Sequence, residues 1–167
     1  MQVQALVRAL LLVAVAVTPA LSQTDSFEKL KKSNDVAVVV NAGNPIQDLD
    51  SDELRRILNG ERQFWSGKLQ IMLVFKYEDA KETQLVLQRV LHVNGEEFLK
   101  IWNARVFRGE ASKSPLQVPS SGMASQVVRD FRGGLGFVAA RDLPPDLKVL
   151  KVDGKLPGDP HYLLSAD

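Results

Sequence analysis

The chain has 167 residues, 45% of them hydrophobic, with 21 Lys and Arg against 20 Asp and Glu, two histidines and no cysteine. That length supports one compact domain with a real core, whereas a two-lobed receptor usually needs about twice as much chain. The near-neutral balance leaves no electrostatic footprint for nucleic acid, and the missing cysteines exclude thiol catalysis, disulfides and a lipidated cysteine anchor.

Residues 1–22 read as an export signal: Arg8 precedes an apolar segment from Ala9 to Val17, Pro19 follows, and Ala20-Leu21-Ser22 places small residues where a signal peptidase reads. A membrane anchor is the competing reading, but the apolar core is shorter than the roughly 20 residues that a spanning helix needs. Cleavage before Gln23 would leave 145 of the 167 residues, formally neutral, in the periplasm or outside the cell. Residues 23–35 form a polar leader or short helix with Lys29, Lys31 and Lys32, and residues 36–167 are expected to be one α/β domain.

Val36 to Val40 is a β-branched run that fits a buried strand. Asn41, Gly43, Asn44 and Pro45 end it in a turn. Asp50 then caps a helix through Leu54, Ile57 and Leu58, with Glu53 reaching back to complete a capping box, Leu49 and Leu54 as a hydrophobic staple, and Gly60 as the left-handed stop. Strand, turn and helix together read as the first half of a βαβ unit. Leu69 to Tyr77 is apolar enough for an interior strand of a largely parallel sheet. Glu78 to Val93 has helical spacing, with Val86, Leu87, Val90 and Leu91 inward. Asn94 and Glu97 form a second capping box opening a helix through Phe98, Ile101 and Trp102. Gly109 to Pro119 reads as a loop. Ser120 or Ser121 caps a last helix through Val127, Val128 and Phe131, after which Leu135 to Ala140 and Leu147 to Val152 are strands. The alternation predicts an α/β three-layer sandwich with a mixed, mostly parallel sheet and helices on both faces.

Several stretches carry a resemblance in their order and spacing. They are VVVNAGNPIQDLDSDELRRILNGERQFW ending at Trp65, VLHVNGEEFLKIWNARVFRG from Val90, RGGLGFVAA from Arg132, and LKVLKVDGKLPGDPHYLL from Leu147. Together, over about Val36 to Tyr162, they resemble the second lobe of phosphate-type periplasmic solute-binding proteins and the short proteins built from that lobe alone. The resemblance implies a type II periplasmic-binding-protein-like fold and a dehydrated oxyanion held by hydroxyls, helix N-termini and an arginine. The receptor's first lobe is absent. The segment corresponding to the anion loop is Phe75 to Thr83, FKYEDAKET, in which Lys76 stands where the arginine would be, Ala80 or Lys81 lies near the expected serine and Thr83 is the only hydroxyl at the loop's end. Glu78, Asp79 and Glu82 leave the loop net acidic, which opposes a phosphate dianion; the same three acids would equally suit the first turn of a helix.

Asn41 and Asn44 could present amides at the carboxyl end of the first strand, where open α/β sheets bind ligands, or serve only as turn formers. Ser120, Ser121 and Gly122 could cradle an anion or simply cap a helix. Trp65 and Trp102 could line a groove but fit a core better, and Arg105 and Arg108 flanking Phe107 fit either solvent or a partner. His92 and His161 form no pair, no metal-ligand spacing or nucleophile elbow is present, and Gly133-Gly134-Leu135-Gly136 precedes a strand, the wrong context for a dinucleotide loop. No cofactor is expected. Two function classes lead, and an enzyme ranks well below both. One is an exported solute-binding-like module taking a small oxyanion, working with a membrane transporter or sensor, in which a homodimer would rebuild the missing cleft wall. The other is a ligand-free interaction or sensory accessory domain of the envelope.

Overall fold

The computed structural model describes residues 21–166, so nearly all of the expected export signal lies outside the described residues. Within the described residues no helix is long and apolar enough to cross a membrane. Helix α1 (Leu21–Lys32) leads into strand β1 (Val36–Val40), followed by the short strand β2 (Asp48–Leu49) and helix α2 (Ser51–Leu58). Strand β3 (Met72–Lys76) precedes helix α3 (Lys81–Val86), whose end widens into a π-type turn at Leu87–Leu91. Helix α4 (Gly95–Phe107), strand β4 (Leu116–Val118), helix α5 (Ser121–Asp130), and strands β5 (Gly134–Ala139) and β6 (Lys148–Val152) complete the order.

The sheet runs β2-β6-β1-β5-β3-β4. Strand β1 is antiparallel to both neighbours, β5 and β6, while β2–β6, β3–β5 and β3–β4 are parallel. Five strands therefore point one way and β1 alone opposes them. This overturns the βαβ reading of the first strand and helix: β1 and β3 run in opposite directions, and β1 is inserted between the last two strands of the chain. Its fully apolar sequence is explained by burial on both faces, since Val36, Val38 and Val40 join one core and Ala37 and Val39 the other.

Those two cores make the three layers. On one face Leu54, Ile57 and Leu58 of α2, Val86 of α3, and Phe98 and Trp102 of α4 cover Leu73, Phe75, Leu135 and Phe137. Phe75 stacks on Phe137 with ring centroids 4.8 Å apart and meets Phe98 edge-on at 5.2 Å. On the other face Leu30 of α1 and Ala124 and Val128 of α5 cover Val39, Val74 and Val138. The C-terminal tail closes the sheet's end: the Val36 N–H donates to the Leu164 carbonyl at 3.0 Å, and the Tyr162 hydroxyl donates to the Val36 carbonyl at 2.9 Å.

Helix ends follow the sequence with two exceptions. Asp50 accepts from the Glu53 N–H at 2.6 Å, and Asn94 and Glu97 form a reciprocal box at 2.9 Å in each direction. Glu53, however, turns its carboxylate to Arg62 instead of back to Asp50. Helix α3 begins only at Lys81, so Glu78 and Asp79 lie in the preceding turn and not in a first helical turn. The expected loop Gly109 to Pro119 contains edge strand β4. Phe131, expected on the buried face of the last helix, is 54% exposed at its end.

Candidate functional site

Because β2, β3, β4, β5 and β6 run the same way, their carboxyl ends meet one edge of the sheet, together with the N-termini of α2, α3 and α5. Lys76 closes β3, Ser120 caps α5 just beyond β4, and Arg141 follows β5. The structure thus gathers Lys76, Lys81, Thr83, Ser120 and Ser121 at one edge. It sends Asn41 to the other, because β1 runs backwards. There the Asn41 amide donates to the carbonyls of Arg129 at 2.6 Å and Val128 at 3.3 Å, closing the C-terminus of α5, and its oxygen accepts from the Gly43 N–H at 2.8 Å. Asn44 orders the same turn, accepting from the Ile46 N–H at 3.0 Å. These bonds leave Asn41 a turn and capping residue, apart from the other site residues.

At the carboxyl edge the donors answer one another. The Lys76 ammonium donates to the Glu82 carboxylate at 3.1 Å, with only 20% and 12% of the two side chains exposed. The Thr83 hydroxyl, buried, donates to the Lys76 carbonyl at 2.9 Å. Burial alone would raise the Glu82 carboxyl, but hydrogen bonds from its own backbone N–H and from Lys76, and the charges of Lys76 and Arg141, hold it below the ordinary carboxylate range. Glu78 packs against Gly95 so closely that a methyl group there would sit 2.5 Å from the Glu78 Cβ. Ser120 accepts from the Met123 N–H at 3.2 Å as the α5 cap. Lys81 is exposed and Ser121 half-buried in the first turns of their helices. The arrangement holds one carboxylate, that of Glu82, among a lysine, an arginine and a backbone N–H, which is the set of partners an external oxyanion would want.

The aromatic candidates belong to the core. Trp65 and Trp102 are buried, and their indole N–H groups donate to the carbonyls of Gly133 at 3.1 Å and Leu58 at 2.8 Å. Arg105 and Arg108 both pair with Glu110, while Phe107 between them is 92% exposed. Among the described residues no group of three or more His, Asp or Glu is placed to hold a metal ion.

No described family profile and no curated protein matches the sequence. Solved structures do match this architecture. An ABC-type phosphate transport receptor from Vibrio cholerae superposes with a TM-score of 0.60 at 18% identity, over 74% of this chain and 48% of the receptor. A putative phosphate ABC transporter substrate-binding protein with bound phosphate from Clostridium perfringens does so at 0.60 and 16%, over 74% and 46%. PstS from Borrelia burgdorferi gives 0.60 and 16%, over 74% and 49%.

The fold is that of one lobe of a phosphate-binding receptor. The chain spans about half the length of these receptors. In this lobe the residue that reading the sequence passed over is Arg141. Its signal was its place, immediately after the Leu135 to Ala140 strand, at the carboxyl end where a parallel sheet gathers ligand-binding groups. A cleft at the opposite edge, lined by Leu69, Leu116 and Phe131 among others, likewise leaves no sign in the spacing of its residues.

Proposed function

We propose that this protein is an exported solute-binding-like module whose oxyanion seat is filled by its own Glu82, and which acts in the envelope by contact with a partner, a membrane transporter or a sensor, and not by carrying phosphate or by catalysis. The observation that carries this reading is the Lys76–Glu82 pair at 3.1 Å in a largely buried setting. Phosphate entering here would have to displace a carboxylate already bonded to Lys76. A single lobe of this fold also strips less water from a small anion than a cleft closed by two lobes does. The matched receptors, one of them with bound phosphate, support the solute-binding ancestry. Residues 1–22 as an export signal, residues 23–35 as a leader and residues 36–167 as the domain belong to this reading. Phe107, 92% exposed between two arginines that pair with Glu61 and Glu110, supports a contact surface.

The test is a thermal-shift titration with phosphate and sulfate. A ligand at one hundred times its dissociation constant stabilises by about 2.7 kcal/mol. The wild type is expected not to respond, and Glu82→Gln, which frees Lys76 and removes the internal anion, is expected to gain a sulfate-dependent rise that Lys76→Ala abolishes. A wild-type response to millimolar phosphate would overturn the proposal in favour of a working oxyanion receptor, with light scattering then deciding whether a homodimer supplies the missing wall.

A further inference from the structure

The edge opposite Lys76 holds a cleft of about 560 Å³ formed where β3, β4 and β5 begin. Its apolar wall includes Leu69, Ile71, Leu116 and Phe131, and Leu116 and Phe131 stay 42% and 54% exposed. Its shape is built in. The Gln70 amide donates to the Ser112 hydroxyl at 2.9 Å, tying the two loops that form the walls. The floor is the contact between Gly133 and Gln70, where a Cβ on Gly133 would lie 1.9 Å from the Gln70 carbonyl oxygen, so only glycine permits it. The Gly133 carbonyl is itself fixed by the Trp65 indole at 3.1 Å and the Met72 N–H at 3.0 Å.

The charged side chains that line the cleft have one sign. Arg62, Lys113 and Arg132 line it and no acid does. Arg62 is committed to Glu53 and to the face of Trp65. Arg132 gives only its Nε, to the Gly43 carbonyl at 3.3 Å, and among the described residues neither Arg132 nor Lys113 has a salt-bridge partner. An apolar trough of drug-like size with two cations at its rim that have no salt-bridge partner among the described residues is complementary to a molecule with an apolar body and one anionic head.

We propose that this cleft binds a small amphipathic anion, a carboxylate or sulfonate on an alkyl or aromatic body, with the body against Leu116 and Phe131 and the head at Arg132 and Lys113. The site lies at the far edge from Glu82, so it stands whether or not the oxyanion seat is filled. Decanoate and its neutral counterpart decanol, titrated calorimetrically into the full protein, test it. Decanoate is expected to bind one to one, about tenfold or more tighter than decanol, and the exposed double variant Arg132→Glu, Lys113→Glu is expected to lose at least that factor for decanoate while leaving decanol unchanged. The milder Arg132→Gln, Lys113→Gln pair serves if the reversal perturbs folding. Equal affinity for the two probes, no binding of either, or unchanged decanoate binding in the variants would overturn the proposal. So would a concentration-dependent dimer in light scattering that Phe131→Asp abolishes, because a second copy would then be the occupant.

Discussion

Two side chains decide more than their neighbours. Glu82 is held ionised below its ordinary value of 4.5 against the pull of burial, by its backbone N–H, Lys76 and Arg141. A carboxylate with a depressed folded value stabilises the native state above its unfolded value and stops doing so as the pH falls through the folded one. Urea midpoints should therefore decline below about pH 4.5, and Glu82→Gln should flatten part of that decline while costing about 1–2 kcal/mol at pH 7 by leaving Lys76 unanswered. Tyr162 is buried with its hydroxyl on the Val36 carbonyl, and burial followed by the charge of Asp35 drives its phenol well above the ordinary value. It stays neutral and donating. Tyr162→Phe should cost about 1–3 kcal/mol in chemical denaturation, because the carbonyl at the start of β1 then loses its partner in a dry place.

At the scale of elements, the strands and helices that pack by pattern were legible from the residues. Val36 to Val40, the Asn94–Glu97 box and the stripe Leu54, Ile57 and Leu58 follow from period and capping chemistry alone. The elements that escaped are those whose identity comes from partners. Strand β4 has three residues in a Ser- and Pro-containing loop, and it is a strand only because β3 pairs with it. The direction of β1 is likewise set by β5 and β6, which lie far along the chain; with it went the misplacement of Asn41. The capping potential of Glu53 lost to Arg62, and the acids Glu78 and Asp79 fell outside the helix because Ala80, with no capping side chain, is its N-cap. Of the candidate site, Lys76, Thr83 and Ser120 were placed at the correct strand and helix ends, but their mutual saturation is a matter of distances that no spacing encodes. The turn entering β5 is the element most exposed to a single change. Gly133→Ala would drive a methyl into the Gln70 carbonyl, and overpacking of this kind costs about 1–3 kcal/mol; a fall of several degrees in melting temperature should accompany it.

For the molecule as a whole, the proposed export signal makes a prediction about mass: protein recovered from the periplasm or medium should begin at Gln23, and retention of residues 1–22 there would contradict cleavage. The reversed strand β1 has a further effect. It follows α1 directly, yet its hydrogen-bonding neighbours β5 and β6 lie far along the chain, so the middle of the sheet stays open until they arrive. A polypeptide built in this order cannot lock itself shut early. Under the proposed export, that delay would keep the chain pliable through its passage and let the centre of the sheet close on the far side.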